Sequence, residues 1–221
     1  MDSFDIEDAR DQLERAFRKV IGPNPRQFGT RSRGHLGVSD GNEGVQWNTW
    51  VDSDPMESGL GVNLEGLMYD DWPIARFIER ELARPTIFDV VATLSEAKNI
   101  GLTWSRDYWQ RAARPPIKER RIVYRLPLDQ LRPAAWRDYL LAARDCLDSS
   151  RGYHGRGRQT VTLIPSGKRV TDAQVSPHLH FARMLGPDFF SSNYDSQVAT
   201  MNRCRGDLEP LYQFVKQRTN R

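Results

Sequence analysis

Few residues of this 221-residue chain are of types that do chemistry, and they are scattered. Glu65 closes the stretch "GVNLEG", beside Asn63 and shortly before Asp70 and Asp71. A carboxylate at a strand end can act as a general base or as a ligand to a hard cation such as Mg²⁺, the chemistry of a metal-dependent nuclease or phosphodiesterase. No lysine or histidine adjoins Glu65 in sequence, and Asp71 is placed to cap a helix. A turn-supporting or cap-supporting acid is therefore the plainer reading.

His178 and His180, in "SPHLHFARML", fall on one face if the segment is a strand, roughly 7 Å apart and near enough to share a metal. A helix opened by Ser176 and Pro177 would splay the two rings. Neither arrangement supplies the remaining ligands, so no metal or other cofactor is expected. Asp89, Glu96 and Lys98 imitate the two acids and lysine of phosphodiester-cleaving sites, but the local period is helical. It sets Glu96 and Lys98 about 200° apart around the axis, where they cannot converge on one ion. No GxSxG, P-loop or dinucleotide fingerprint occurs. Whether the chain is an enzyme stays open at this level. His35 and His154, in glycine-rich surroundings, are expected at the surface.

The cations form two blocks. Arg106, Arg111, Arg114, Lys118, Arg120 and Arg121 make the first, and Arg151, Arg156, Arg158, Lys168 and Arg169 the second. No acid lies between Arg151 and Val170, and "RGYHGRGR" mixes glycine, aromatic and arginine, a composition that lets backbone and guanidinium approach phosphates. Trp104, Tyr108 and Trp109 beside the first block are of a type that stacks on bases, although an aromatic next to a strand is more often core. Solvated surface is the alternative for both blocks and the plainer one for the first.

These residues need elements to position them. Ala9, Leu13, Ala16, Phe17 and Val20 recur at helical spacing over 6–20, and Gly22, Pro23 and Pro25 stop that helix. Residues 22–43, rich in Gly, Ser and Arg, read as an irregular segment. "GVQWNTWV" and "GLGVNLEG" read as an antiparallel hairpin. Helices are expected from Pro73 to the residue before Pro85, over "TIFDVVATLSEAKN", over "PAAWRDYLLAARDCLDSS" and over "LEPLYQFVKQRT". "LTW" and "RIVYRL" read as strands separated by a segment whose double proline forbids a regular element through its middle. A second hairpin turns at Ser166 and Gly167. Strand pairs interleaved with helices give an α+β fold: one domain over 1–221, with an antiparallel or mixed sheet built from hairpins and helices on one face.

Composition bounds the partners. Hydrophobic residues are 38% and charged residues 28%, too apolar for a disordered chain and without a run long enough to span a bilayer. The net charge is +3, with 27 Arg against 5 Lys. Arginine's planar fork suits phosphate, but a GC-rich genome produces the same bias without function. Only Cys146 and Cys204 occur, too few for a disulfide framework, and the acidic start lacks a signal peptide's basic and apolar regions. A cytoplasmic protein with no membrane partner is expected.

"IFDVVATLSEAKNIGLTWSRDYWQRAARPPIKERRIVYRL", continued by the Trp136 helix, resembles a bacterial domain family of unknown function that accompanies restriction-type nuclease and defence-related proteins. The shared features are a Phe-containing helix, "LTW", a basic proline-bearing loop, an Arg-Ile strand and a Trp helix, over about residues 60 to 148. The resemblance implies a DNA-linked or defence-linked setting and no catalytic residue.

Three readings follow. The first is a non-catalytic binder of nucleic acid or of a nucleoprotein, using chiefly Arg156, Arg158, Lys168 and Arg169. The second is a Mg²⁺-dependent nuclease or phosphodiesterase using Glu65. The third is a protein-interaction or homo-oligomeric module anchored by Trp50 or Trp109.

Overall fold

Asp5 opens the first helix by accepting a hydrogen bond from Glu7 N at 2.8 Å, and α1 (Ile6–Val20) then buries Ala9, Leu13, Ala16, Phe17 and Val20 along one stripe. The structure, a computed structural model, describes residues 5–41, 44–53, 56–65, 73–110, 117–148, 157–162, 169–186 and 188–220. Side chains at 56, 65, 107–110, 117–123, 146–148, 157–162 and 170–176 are outside that description.

After α1 come β1 (Arg26–Thr30), β2 (His35–Ser39), β3 (Val45–Ser53) and β4 (Met56–Glu65). Two helices follow, α2 (Pro73–Ala83) and α3 (Ile87–Thr93), then β5 (Ile100–Gln110), β6 (Ile117–Pro127) and α4 (Pro133–Asp148). The chain continues through β7 (Gly157–Thr162), β8 (Arg169–Met184), a short α5 (Asp188–Ser191) and α6 (Tyr194–Thr219).

All strand pairs are antiparallel, in the order β1-β2-β3-β4-β8-β5-β6, with β7 also on β8. The expected α+β architecture is what the chain adopts, with the sheet antiparallel throughout. Hairpins account for β1 to β4, for β5-β6 and for β7-β8. The centre does not come from a hairpin: β8 lies between β4 and β5, distant partners in sequence.

Alternation along the strands separates two faces. Trp47, Val51, Leu60, Val62, Leu64, Leu102, Trp104, Leu179 and Phe181 are buried on the helix side. There Trp47 stacks on Tyr212 of α6, and Phe77 of α2 meets Trp136 of α4 and Phe214 of α6 edge to face. The other face carries Asn48, Trp50, Asn63, Thr103, Ser105, His178 and His180.

Several local expectations are corrected. Residues 22–43 are not irregular through their length. They contain β1 and β2, joined by a one-turn helix at Arg31–Arg33 whose exit, Gly34, takes φ 60. The helix expected over 86–99 ends at Thr93, and a separate short turn covers Ala97–Asn99. Glu96 and Lys98 therefore do not share a helix. Glu96 instead accepts from Asn99 Nδ2 at 2.5 Å and pairs with Arg183 at 3.4 Å. "LTW" is part of an eleven-residue strand, and α6 begins at Tyr194, well before Leu208, continuing through Pro210. Asp71, the Pro115–Pro116 pair and the Ser166–Gly167 turn lie outside the described residues.

Candidate functional site

Two features merit a functional reading, and β8 positions both. Its second half, 178–184, pairs with β4, whereas its first half runs past β4 and pairs with β7 instead. On its other side β5 follows it as far as Trp109↔Gln174, and β6 follows β5 to Gln110↔Ile117. The outcome is a four-stranded extension, β7-β8-β5-β6, built from 157–162, 169–177, 105–110 and 117–122.

The register of this extension puts the described strand residues of both basic blocks in one sheet. One row of Cα partners runs Arg158↔Gln174↔Trp109↔Lys118 across all four strands. The next runs Gly157↔Val175↔Tyr108↔Glu119, and beyond it Ser176↔Asp107↔Arg120 and Pro177↔Arg106↔Arg121. Arg169 is exposed at the start of β8, opposite Thr162. Arg106 is half-buried with its guanidinium 5.6 Å from the Trp104 ring centroid, and its Nε is buried without a hydrogen-bond partner among the described residues. Arg111, Arg114, Arg151, Arg156 and Lys168 lie outside the described residues. Arg125 and Arg137 are exposed, as the alternating and helical patterns required.

The second feature is the sheet face turned away from α2, α4 and α6, where β4, β8 and β5 meet. "SPHLHF" is strand, so His178 and His180 do share a face, with ring centroids 6.2 Å apart and planes 15° from parallel. Glu65 stands opposite His178, and Asn63 opposite His180. On the far side Ser105 stands opposite His178, and its Oγ lies 3.2 Å from His178 Nδ1. His180 Nε2 lies 3.0 Å from Asn48 Oδ1, and Trp50 meets the His180 ring edge-on at 5.0 Å.

Glycines make room for these rings. A Cβ on Gly61 would stand 2.1 Å from His180 Nε2, and one on Gly59 would stand 2.5 Å from the Trp50 ring. The polar side chains are deeply buried: Ser105 0% exposed, His178 3%, Asn63 5% and Asn48 9%. Asn63 Oδ1 has no hydrogen-bond partner among the described residues. The sequence pointed to Glu65 with Asn63, and separately to His178 and His180 as a pair on one strand face. It missed Ser105 and Asn48, and did not join Asn63 to His180, because only the pairing of distant strands makes them neighbours.

Among the described residues, no three His, Cys, Asp or Glu side chains converge as a metal-binding group. Nor is any helix long and apolar enough to cross a membrane. The large apolar side chains left exposed there are Met184 and Tyr194, and Trp50 is half-buried. His35, at the sheet's other end, is bonded to Asp52 at 2.5 Å. No protein family, curated protein or solved structure matches the chain.

Proposed function

We propose that this protein binds nucleic acid, alone or within a nucleoprotein, through the β7-β8-β5-β6 extension and without catalysis of its own. The observation that carries the reading is the strand register, in which Lys118 of the first basic block and Arg158 of the second occupy one row. The strand segments of the extension hold Arg106, Lys118, Arg120, Arg121, Arg158 and Arg169 against Asp107, Glu119 and Asp172. The connecting sequences 111–116, 151–156 and 163–168 add five Arg or Lys and no acid. A cationic sheet bearing Tyr108 and Trp109 suits phosphate contacts joined by base stacking.

Mobility-shift titration with single- and double-stranded DNA and RNA at about 50 and 200 mM salt tests this, since phosphate-dominated affinity falls steeply with ionic strength. Charge reversal at Lys118, Arg158 and Arg169 together should abolish most binding. Equal binding by parent and variant would sink the proposal and leave these charges as guards of an exposed sheet edge.

A further inference from the structure

We propose that the cleft where the exit of α1, the β2-β3 connection and α6 meet binds a small, uncharged, hydroxyl-rich molecule of saccharide type, at a site independent of the nucleic-acid reading.

The cleft has a volume of about 420 Å³, within the roughly 300 to 1,000 Å³ of small-molecule sites. Its lining comes from three places: Pro23 and Asn24 after α1, Asp40 and Trp47 on either side of the β2-β3 connection, and Arg205 and Glu209 on α6.

Hydrogen bonds fix each of these in advance. Arg18 Nη1 donates to Pro23 O at 2.6 Å and holds the loop against its own helix. Asp40 N donates to Trp47 O at 3.0 Å, which keeps Asp40 beside the strand that carries Trp47. Arg205 Nη1 donates to Val20 O at 2.9 Å and ties α6 to the end of α1. A preformed cleft loses little ordering entropy when a ligand enters.

The unmet group is deep. Trp47 is only 4% exposed and lines the cleft, and among the described residues nothing accepts from its indole N–H. A donor so deeply set is costly until an acceptor reaches it. Asn24, exposed at the rim, carries an amide that is likewise unengaged among the described residues.

Charge and shape choose the ligand. Arg205 Nε lies 3.6 Å from Glu209 Oε2, Glu209 also accepts from Gln213 Nε2 at 2.7 Å, and Asp40 has a partner of its own. The two acids repel phosphate and carboxylate, while their existing partners remove the need for an organic cation. Trp47 and Tyr212 stack on each other at 4.9 Å, too close to admit a planar base between them. Hydroxyls both donate and accept. They serve the indole N–H and Arg205 as acceptors, and the Asp40 and Glu209 carboxylates as donors.

The test uses the full chain. Six tryptophans give six indole N–H signals in a nitrogen-correlated NMR spectrum, and Trp47→Phe identifies that of Trp47. Glucose, galactose, mannose, N-acetylglucosamine and maltose are titrated at millimolar concentrations, and at least one should move this signal. For that sugar, calorimetry should show Asn24→Ala and Trp47→Phe each weakening affinity about 3- to 10-fold, the scale of one neutral hydrogen bond. Asn24 is exposed, so its truncation leaves the fold intact, and thermal melts check Trp47→Phe. Inorganic phosphate and AMP should leave the signal in place. A Trp47 signal that no sugar moves, unchanged affinity in Asn24→Ala, or a shift produced by phosphate would each overturn the proposal.

Discussion

Trp136 Nε1 donates a hydrogen bond to the Glu81 carboxylate at 3.2 Å, joining α4 to α2 through an acid with no solvent exposure. The same carboxylate accepts from Thr86 N, Thr86 Oγ1 and Ile87 N at the start of α3, and pairs with Arg218 of α6 at 2.9 Å. One buried acid thus gathers four helices. Glu81→Ala should lower unfolding stability by about 3 to 5 kcal/mol, the usual cost of breaking a buried charge pair. Urea denaturation measures it, and a loss under about 1 kcal/mol would contradict the assignment.

The extension predicts where charge matters. Arg158→Glu and Lys118→Glu should each flatten the dependence of log affinity on log salt for duplex DNA, by about 0.9 for every phosphate no longer neutralised. Arg137→Glu, exposed on α4, should leave the slope unchanged. Identical effects at all three positions would mean that only net charge is being read.

Gly61 and Gly59 lie under the His180 and Trp50 rings. Gly61→Ala should force the His180 ring away from Asn48 and cost about 1 to 3 kcal/mol by overpacking. Gly206→Ala on α6, where a Cβ meets nothing within 4 Å, should be neutral or stabilising. Thermal melts of the two variants side by side decide the matter.

Burial pushes the Cys204 thiol above its ordinary range, with the Asp207 charge adding to the shift and Arg183 opposing it. Native protein should therefore react slowly with thiol reagents at neutral pH, and fully once unfolded. The sign for stability follows from the raised value. The contribution is complete below the unfolded thiol's pKa of about 8.5 and is lost as pH rises through the folded one. In a Cys146→Ala background, rapid labelling of Cys204 at neutral pH would refute the burial argument.

Much of the fold was legible because local spacing carries it. Leu13, Phe17 and Val20 mark α1, and Ile74, Phe77 and Ile78 mark α2, since a helix buries what recurs along its own stripe. The strands β1 and β2 escaped notice because "RQFGT" and "HLGVS" carry little apolar alternation. Their pairing rests on β3, which arrives later in the chain. The early start of α6 did leave a signal: Gln197, Met201, Cys204 and Leu208 recur at helical spacing and are all buried. Pro210 obscured it by resembling a first-turn proline. The polar face had no local signature, because Ser105 and His178 are 73 residues apart.

The central placement of β8 governs the order of assembly. During synthesis the β1-β4 meander and the β5-β6 hairpin emerge from the ribosome with β4 and β5 each presenting an unzipped flank. Neither flank is covered until residues 178–184 are available to both. Nascent chains stalled before that point carry two adhesive borders, and chaperone demand should peak there and fall sharply once the bridging strand docks.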